Sequence, residues 1–160
     1  HELMAALRVE TNELNVQQMI DYLRTAFWRF TPADDRADLS PALEELLREG
    51  LNGAKTTSAK AAWFAGIRGV ALTPETLAWL EQVWSHDVTI DKLPLAESDE
   101  AELAFELALR EGPDAATTLE TQLVRFKNPD RKARFLFIMP AVSTCEMMVA
   151  PSRLNTELPK

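Results

Sequence analysis

An all-α fold is predicted by three features of this sequence. Apolar residues recur at helical spacing along nearly the whole chain, Gly is scarce at five in 160 residues, and helix-start signals return again and again. Strict apolar–polar alternation over the length of a strand is hard to find.

The elements follow in order. Val16, Met19, Ile20, Leu23, Phe27 and Phe30 form one apolar stripe and predict a helix over 15–29. Leu39, Leu43, Leu46, Leu47 and Leu51 form another and predict a helix over 33–51. Further helices are expected at 58–71, 74–84, 99–111, 114–126 and 129–139, with ends placed to within about two to four residues. "TPAD" at 31, "SPAL" at 40, "TPET" at 73, "GPDA" at 112 and "NPDR" at 128 each set a small residue before Pro. A Ser, Thr or Asn side chain there accepts a bond from a free first-turn amide, and Pro at the first helical position has no amide to strand. "LREG" at 47–50 and again at 109–112 offers Gly as a left-handed stop.

Alternate helices start about 40 residues apart, close to the period of two-helix HEAT or armadillo units. The helix at 99–111 is apolar on two faces, through Ala101, Ala104, Phe105, Ala108 and Leu109 on one and Leu103 and Leu107 on the other. "FLFIM" at 135–139 is apolar all round. Helices of this kind sit between neighbours in a stacked array. The expected architecture is antiparallel helix pairs stacked as a short HEAT/armadillo-like solenoid.

Length and composition fit one ordinary folded domain: 46% of residues are hydrophobic and 26% charged. The net charge of −8 disfavours general attraction to phosphate backbones or anionic membranes, so neither nucleic acid nor membrane is an expected partner. No apolar run approaches the roughly 20 residues that span a bilayer. The start, "HELMAALRVE", lacks the segments of a signal peptide, and His1 reads as the end of a tag. Cys145 is alone and cannot form an internal disulfide, which points to a reducing, cytoplasmic setting.

Chemistry is hard to find. "HELMA" begins like a zincin motif, but Ala5 stands where the second His of H-E-x-x-H belongs. His86 and Cys145 could be drawn as base and nucleophile, yet nothing in the sequence brings them together. The acidic run "ESDEAELAFE" at 97–106 lacks the alternating ligands and central Gly of a calcium loop, and acidic residues at a helix start offset the macrodipole without a metal. No catalytic residue, metal ligand or cofactor is therefore assigned to this chain. Trp28, Trp63, Trp79 and Trp84 are read first as core, with Trp63 beside Phe64 also a candidate for contact with a partner.

"VRFKNPDRKARFLF" at 124–137 gathers Arg125, Lys127, Arg131, Lys132 and Arg134 in an acidic chain. Arg125 and Lys127 belong to a helix end, where exposed carbonyls favour cations. Arg131 and Lys132 lie in a first turn, the wrong end for that benefit, and so invite an anionic partner. A nucleic-acid stripe would be wider and sit in a basic domain. Arg125, Arg131, Lys132 and Arg134 are read as candidate partner contacts, and carboxylates on adjacent repeats would suffice as that partner.

The same stretch carries a resemblance. "LETQLVRFKNPDRKARFLFIMPAVS" (119–143), "KAAWFAGIRGVALTPETLAWLEQVW" (60–84) and "LPLAESDEAELAFELALR" (93–110) resemble the C-terminal helical domain of aminopeptidase N-like zinc metallopeptidases. The likeness runs from about 10 to 143, and the Asn128-Pro129-Asp130-Arg131 turn before an aromatic helix and Pro140 is its most specific element. It implies a domain (10–143) that caps a separate catalytic domain or supports dimerisation, with Arg131, Lys132 and Arg134 in inter-helix or inter-domain salt links. Zinc is implied only for that parent catalytic domain, whose H-E-x-x-H and G-x-M-E-N motifs are missing here. After Ser143 the chain reads "TCEMMVAPSRLNTELPK" and departs from the family pattern, so 144–160 is expected to be a foreign tail from truncation or a shifted frame.

Three readings follow. The first is a non-catalytic helical domain of such an enzyme, partnered by an upstream catalytic domain. The second is a free-standing helical-repeat adaptor for a protein or peptide. The third, an enzyme through Cys145 and His86, has least behind it. A homodimer through the C-terminal helices is expected, with Phe135, Phe137, Met147 and Met148 as contacts, because a cut solenoid end is too apolar to face water.

Overall fold

A computed structural model describes the backbone of residues 2–111 and 115–149, and the side chains of 2–110 and 115–141. Among the described residues the chain is all-α, with eight helices: α1 (Glu2–Val9), α2 (Glu13–Arg29), α3 (Ala33–Gly53), α4 (Thr57–Val70), α5 (Pro74–Ser85), α6 (Glu97–Glu111), α7 (Ala115–Arg125) and α8 (Pro129–Val149). No described helix is long and apolar enough to cross a membrane.

Seven of these were expected, and α1 was not. It is only eight residues long, and Met4 and Leu7 alone are buried, against α2 and α3. Two apolar positions are too few to register as periodicity, so its stability comes from packing rather than propensity.

The local start signals divide by what each side chain does. Asn12 accepts from the amides of Leu14 and Asn15 and caps α2. Just ahead of it, the Asn12 amide, the Asn15 side chain and the Thr11 amide hold the Glu10 carboxyl below its ordinary pKa. Thr56 caps α4, and Thr73 followed by Pro74 caps α5. Asn128 accepts from the amides of Asp130 and Arg131 ahead of α8. Thr31-Pro32 behaves differently: Pro32 itself is the cap residue, and the Thr31 hydroxyl donates backwards to the Ala26 carbonyl.

Ser40-Pro41 is no start at all. It lies inside α3, with the Ser40 hydroxyl donating to the Arg36 carbonyl at 2.6 Å. Pro41 removes one helical hydrogen bond, and burial of Leu43, Leu46 and Leu47 outweighs that loss. Gly50 does not stop α3 either, which runs on to Gly53. Gly50 serves close packing instead, because a Cβ there would overlap the Trp63 ring. The second stop, Gly112, and the Gly112-Pro113 start lie outside the described residues. Helix α8 passes through Pro140 to Val149, where the sequence predicted an end at 139.

Among the described residues the most extensive packing is α3 on α4, and helix contacts then run from α2 to α4, α4 to α6 and α6 to α8. Gly66 brings α4 against Ile20 and Leu47. Helices α2, α4 and α6 end together: the Trp28 indole N–H donates to the Gly69 carbonyl at 2.6 Å, and Arg110 reaches the same oxygen at 3.5 Å. The odd-numbered helices are joined by polar links. Buried Glu44 of α3 accepts from the Leu72 and Thr73 amides at the start of α5. The Trp84 indole of α5 donates to the fully buried Gln122 of α7 at 2.8 Å. The core runs unbroken from Leu7 through Phe27, Leu47, Ile67, Leu80 and Leu107 to Leu119 and Phe135.

Candidate interaction surface

The basic stretch splits into a fastener and an open edge. The Arg125 guanidinium donates to the Trp84 carbonyl at 2.8 Å and lies 4.2 Å from the centroid of the Trp84 ring. It therefore ties α7 to α5 inside this chain and is not free to meet a partner. Arg131 is 3.9 Å from Glu97, whose other oxygen accepts from the Lys127 amide at 2.9 Å. Lys132 and Arg134 are exposed and make no ion pair among the described residues. They lie near the positive end of the α8 dipole, which adds to their field.

Beside them runs a trough of about 320 Å³ between α6 and α8. Phe105, Phe126, Phe135 and Ile138 make its apolar walls, and Arg131 and Arg134 its basic edge. The α8 residues 131, 134, 135 and 138 fall at i, i+3, i+4 and i+7, so the pairing of basic edge and apolar wall is helical spacing at work. Phe105 and Phe135 stack at 4.4 Å, and Phe126 tilts against Phe135 at 5.1 Å.

This geometry revises the expected contacts. Phe135 is only 2% exposed, enclosed by its own chain, and cannot be a dimer contact. Phe137 is 86% exposed and Leu136 55%, so both remain open. Among the described residues the main packing of helix α8 is on α6 and α7, which covers one flank of "FLFIM" and leaves Leu136 and Phe137 open. The side chains of Met147 and Met148 lie outside the described residues.

Trp63 is 8% exposed and packs on Gly50, so it belongs to the core and not to a partner surface. Two other indoles are flanked by arginine: Trp79 by Arg48 at 4.0 Å, and Trp28 by Arg36 and Arg110 at 5.1 and 5.5 Å. Such pairs fasten helices through the ring face. His86 ends α5 in the left-handed conformation, with Nε2 3.4 Å from Glu100. The Cys145 side chain lies outside the described residues. Among the described residues no three His, Cys, Asp or Glu side chains are grouped to hold a metal ion.

The sequence reading found the basic residues but missed the trough. Phe105 and Phe126 come from α6 and the turn before α8, and only packing brings them to Phe135. The available signal was the spacing of Arg131, Arg134, Phe135 and Ile138 on one helical face. Comparison of the chain with protein-family models, with curated proteins and with solved structures finds no match.

Proposed function

We propose that this chain is a non-catalytic helical-repeat domain whose role is to cover or assemble, and that it derives from an aminopeptidase-like zinc metallopeptidase. The observation that carries the reading is the open face of α8. Phe137 and Leu136 stand exposed beside Arg131, Lys132 and Arg134, next to an apolar trough. An apolar centre with a polar rim is the composition of a contact surface.

The packing order supports a solenoid. One series of contacts links α2, α4, α6 and α8, and polar links join α3 to α5 and α5 to α7. That alternation is what stacked helix pairs produce. The family reading rests on the resemblance in sequence, and zinc belongs to it only through a parent catalytic domain. The described residues do not form a ligand set for that metal.

Purified alone, the chain is expected to hold no stoichiometric zinc and to release no amine from amino-acid anilides. One equivalent of tightly held zinc, or turnover abolished by a chelator, would overturn the reading. A free-standing adaptor for a protein or peptide is the alternative. Co-purification with an upstream catalytic chain supports the first role, and a stoichiometric unrelated partner the second.

Nucleic acid binding is expected to be negligible. Several phosphate contacts would give a steep dependence of affinity on salt, and the basic edge of α8 is short in a chain whose net charge is −8. Submicromolar DNA or RNA binding at physiological salt, lost in the Arg131→Ala, Lys132→Ala variant, is the contrary result.

A further inference from the structure

We propose that the face formed by α6 and α8 around this trough packs against the same face of a second copy of this chain, related by a twofold axis so that basic α8 of each copy faces acidic α6 of the other. The proposal deepens the assembly role above and rests on it.

The argument is charge complementarity across an apolar seam. One side of the trough is α8, with Arg131 and Arg134 on its edge and exposed Lys132 beside them. The other side is α6, which begins with Glu97, Asp99 and Glu100 and brings Glu102 to the trough. Within one chain the two sides are poorly matched. Arg131 reaches Glu97 only at 3.9 Å, Arg134 meets no carboxylate among the described residues, and Glu102 is held by Arg68 from α4 with its own side chain 62% exposed.

A twofold contact requires one patch to be complementary to itself. A surface basic throughout or acidic throughout would fail that condition. A surface basic on one flank and acidic on the other meets it, because rotation by half a turn sets each flank against its opposite. The seam between the flanks is apolar, formed by Phe105 and Ile138. Phe137 is three residues on from Arg134 and joins the same patch from the adjoining flank of α8. An acidic partner helix would meet Glu102 as well as the arginines. An isologous copy satisfies both signs.

The test is charge reversal with exchange, read by light scattering and sedimentation over a concentration series of the full chain. The wild type is expected to dimerise, with affinity falling as salt rises. Arg134→Glu alone and Glu102→Arg alone should each weaken the dimer by about tenfold or more, since like charges then face each other at both ends of the seam. Mixed one to one, the two variants should form a heterodimer of near wild-type affinity. At one end the carboxylate introduced at position 134 of one copy meets the guanidinium introduced at position 102 of the other. At the other end the unaltered Arg134 and Glu102 meet as in the wild type. Thermal melts of each variant separate lost contact from lost fold, and Phe137→Asp provides a second disruption far from the Arg68–Glu102 pair.

A wild type that stays monomeric at high micromolar concentration overturns the proposal. So does a dimer that tolerates both single reversals, or variants that fold but fail to recover on mixing. None of these results would touch the non-catalytic reading, which the zinc and activity measurements decide.

Discussion

Trp63→Ala is expected to lower folding stability by about 3–5 kcal/mol, read from chemical denaturation of the purified chain. Trp63 lies in α4 at 8% exposure, and its ring rests on Gly50 of α3 across the most extensively packed helix pair among the described residues. Removing the indole forfeits its transfer from water. It also leaves a hole that Gly50, which has no side chain, cannot fill.

The same contact makes a prediction of sign. Gly50→Ala should destabilise the wild type, because the new Cβ would overlap the Trp63 ring. In the Trp63→Ala background the ring is gone, and Ala gains about 1 kcal/mol over Gly inside a helix. Gly50→Ala should then stabilise. A melt left unchanged by Trp63→Ala, or a Gly50→Ala effect of the same sign in both backgrounds, would show that the indole does not bear on α3.

Gly50 also shows what the sequence could and could not say. In "LREG" it has the spacing of a helix stop, and as a local signal that reading is sound. The chain uses the missing side chain for approach between α3 and α4, which depends on where Trp63 lies and is invisible to any short window. Ser40-Pro41 misleads in the same way, since the capping pattern is present but the burial of Leu43, Leu46 and Leu47 carries the helix through it. Long periodic helices were legible because each repeats its apolar stripe over several turns. Helix α1 was not, because two buried residues make no period. At the interaction surface, the charges of Arg131, Lys132 and Arg134 were plain. The fate of each was not: Arg125 was placed at a helix end but still grouped with them as a partner contact, and only the position of Trp84 turns it inward.

The second large effect concerns a residue with no motif around it. Glu44→Ala is expected to cost about 3–5 kcal/mol, as when one side of a buried, hydrogen-bonded charge network is deleted. Glu44 sits in α3 at 3% exposure. One of its oxygens accepts from the Leu72 amide at 2.7 Å and the Thr73 amide at 3.0 Å. The other accepts from the Thr73 hydroxyl, which in turn accepts from the Thr76 amide and so caps α5. One turn further along α3, Arg48 lies 4.0 Å from the Trp79 ring of α5. Burial draws the Arg48 guanidinium below its ordinary pKa, and the Glu44 charge opposes that. Glu44 and Arg48 together clamp α5 onto α3. Alanine would leave two amides and a hydroxyl without their acceptor in a part-buried site, and its better helix propensity returns only a few tenths of a kcal/mol. Glu44→Gln should cost less, since one acceptor oxygen survives while the new amide nitrogen faces donors. A double-mutant cycle with Thr73→Val isolates the link: the two losses should fall short of adding by about 0.5–3 kcal/mol. Strict additivity, or a Glu44→Ala loss below about 1 kcal/mol, would mean that water takes the place of the carboxylate and that α5 is held to α3 by its apolar contacts alone.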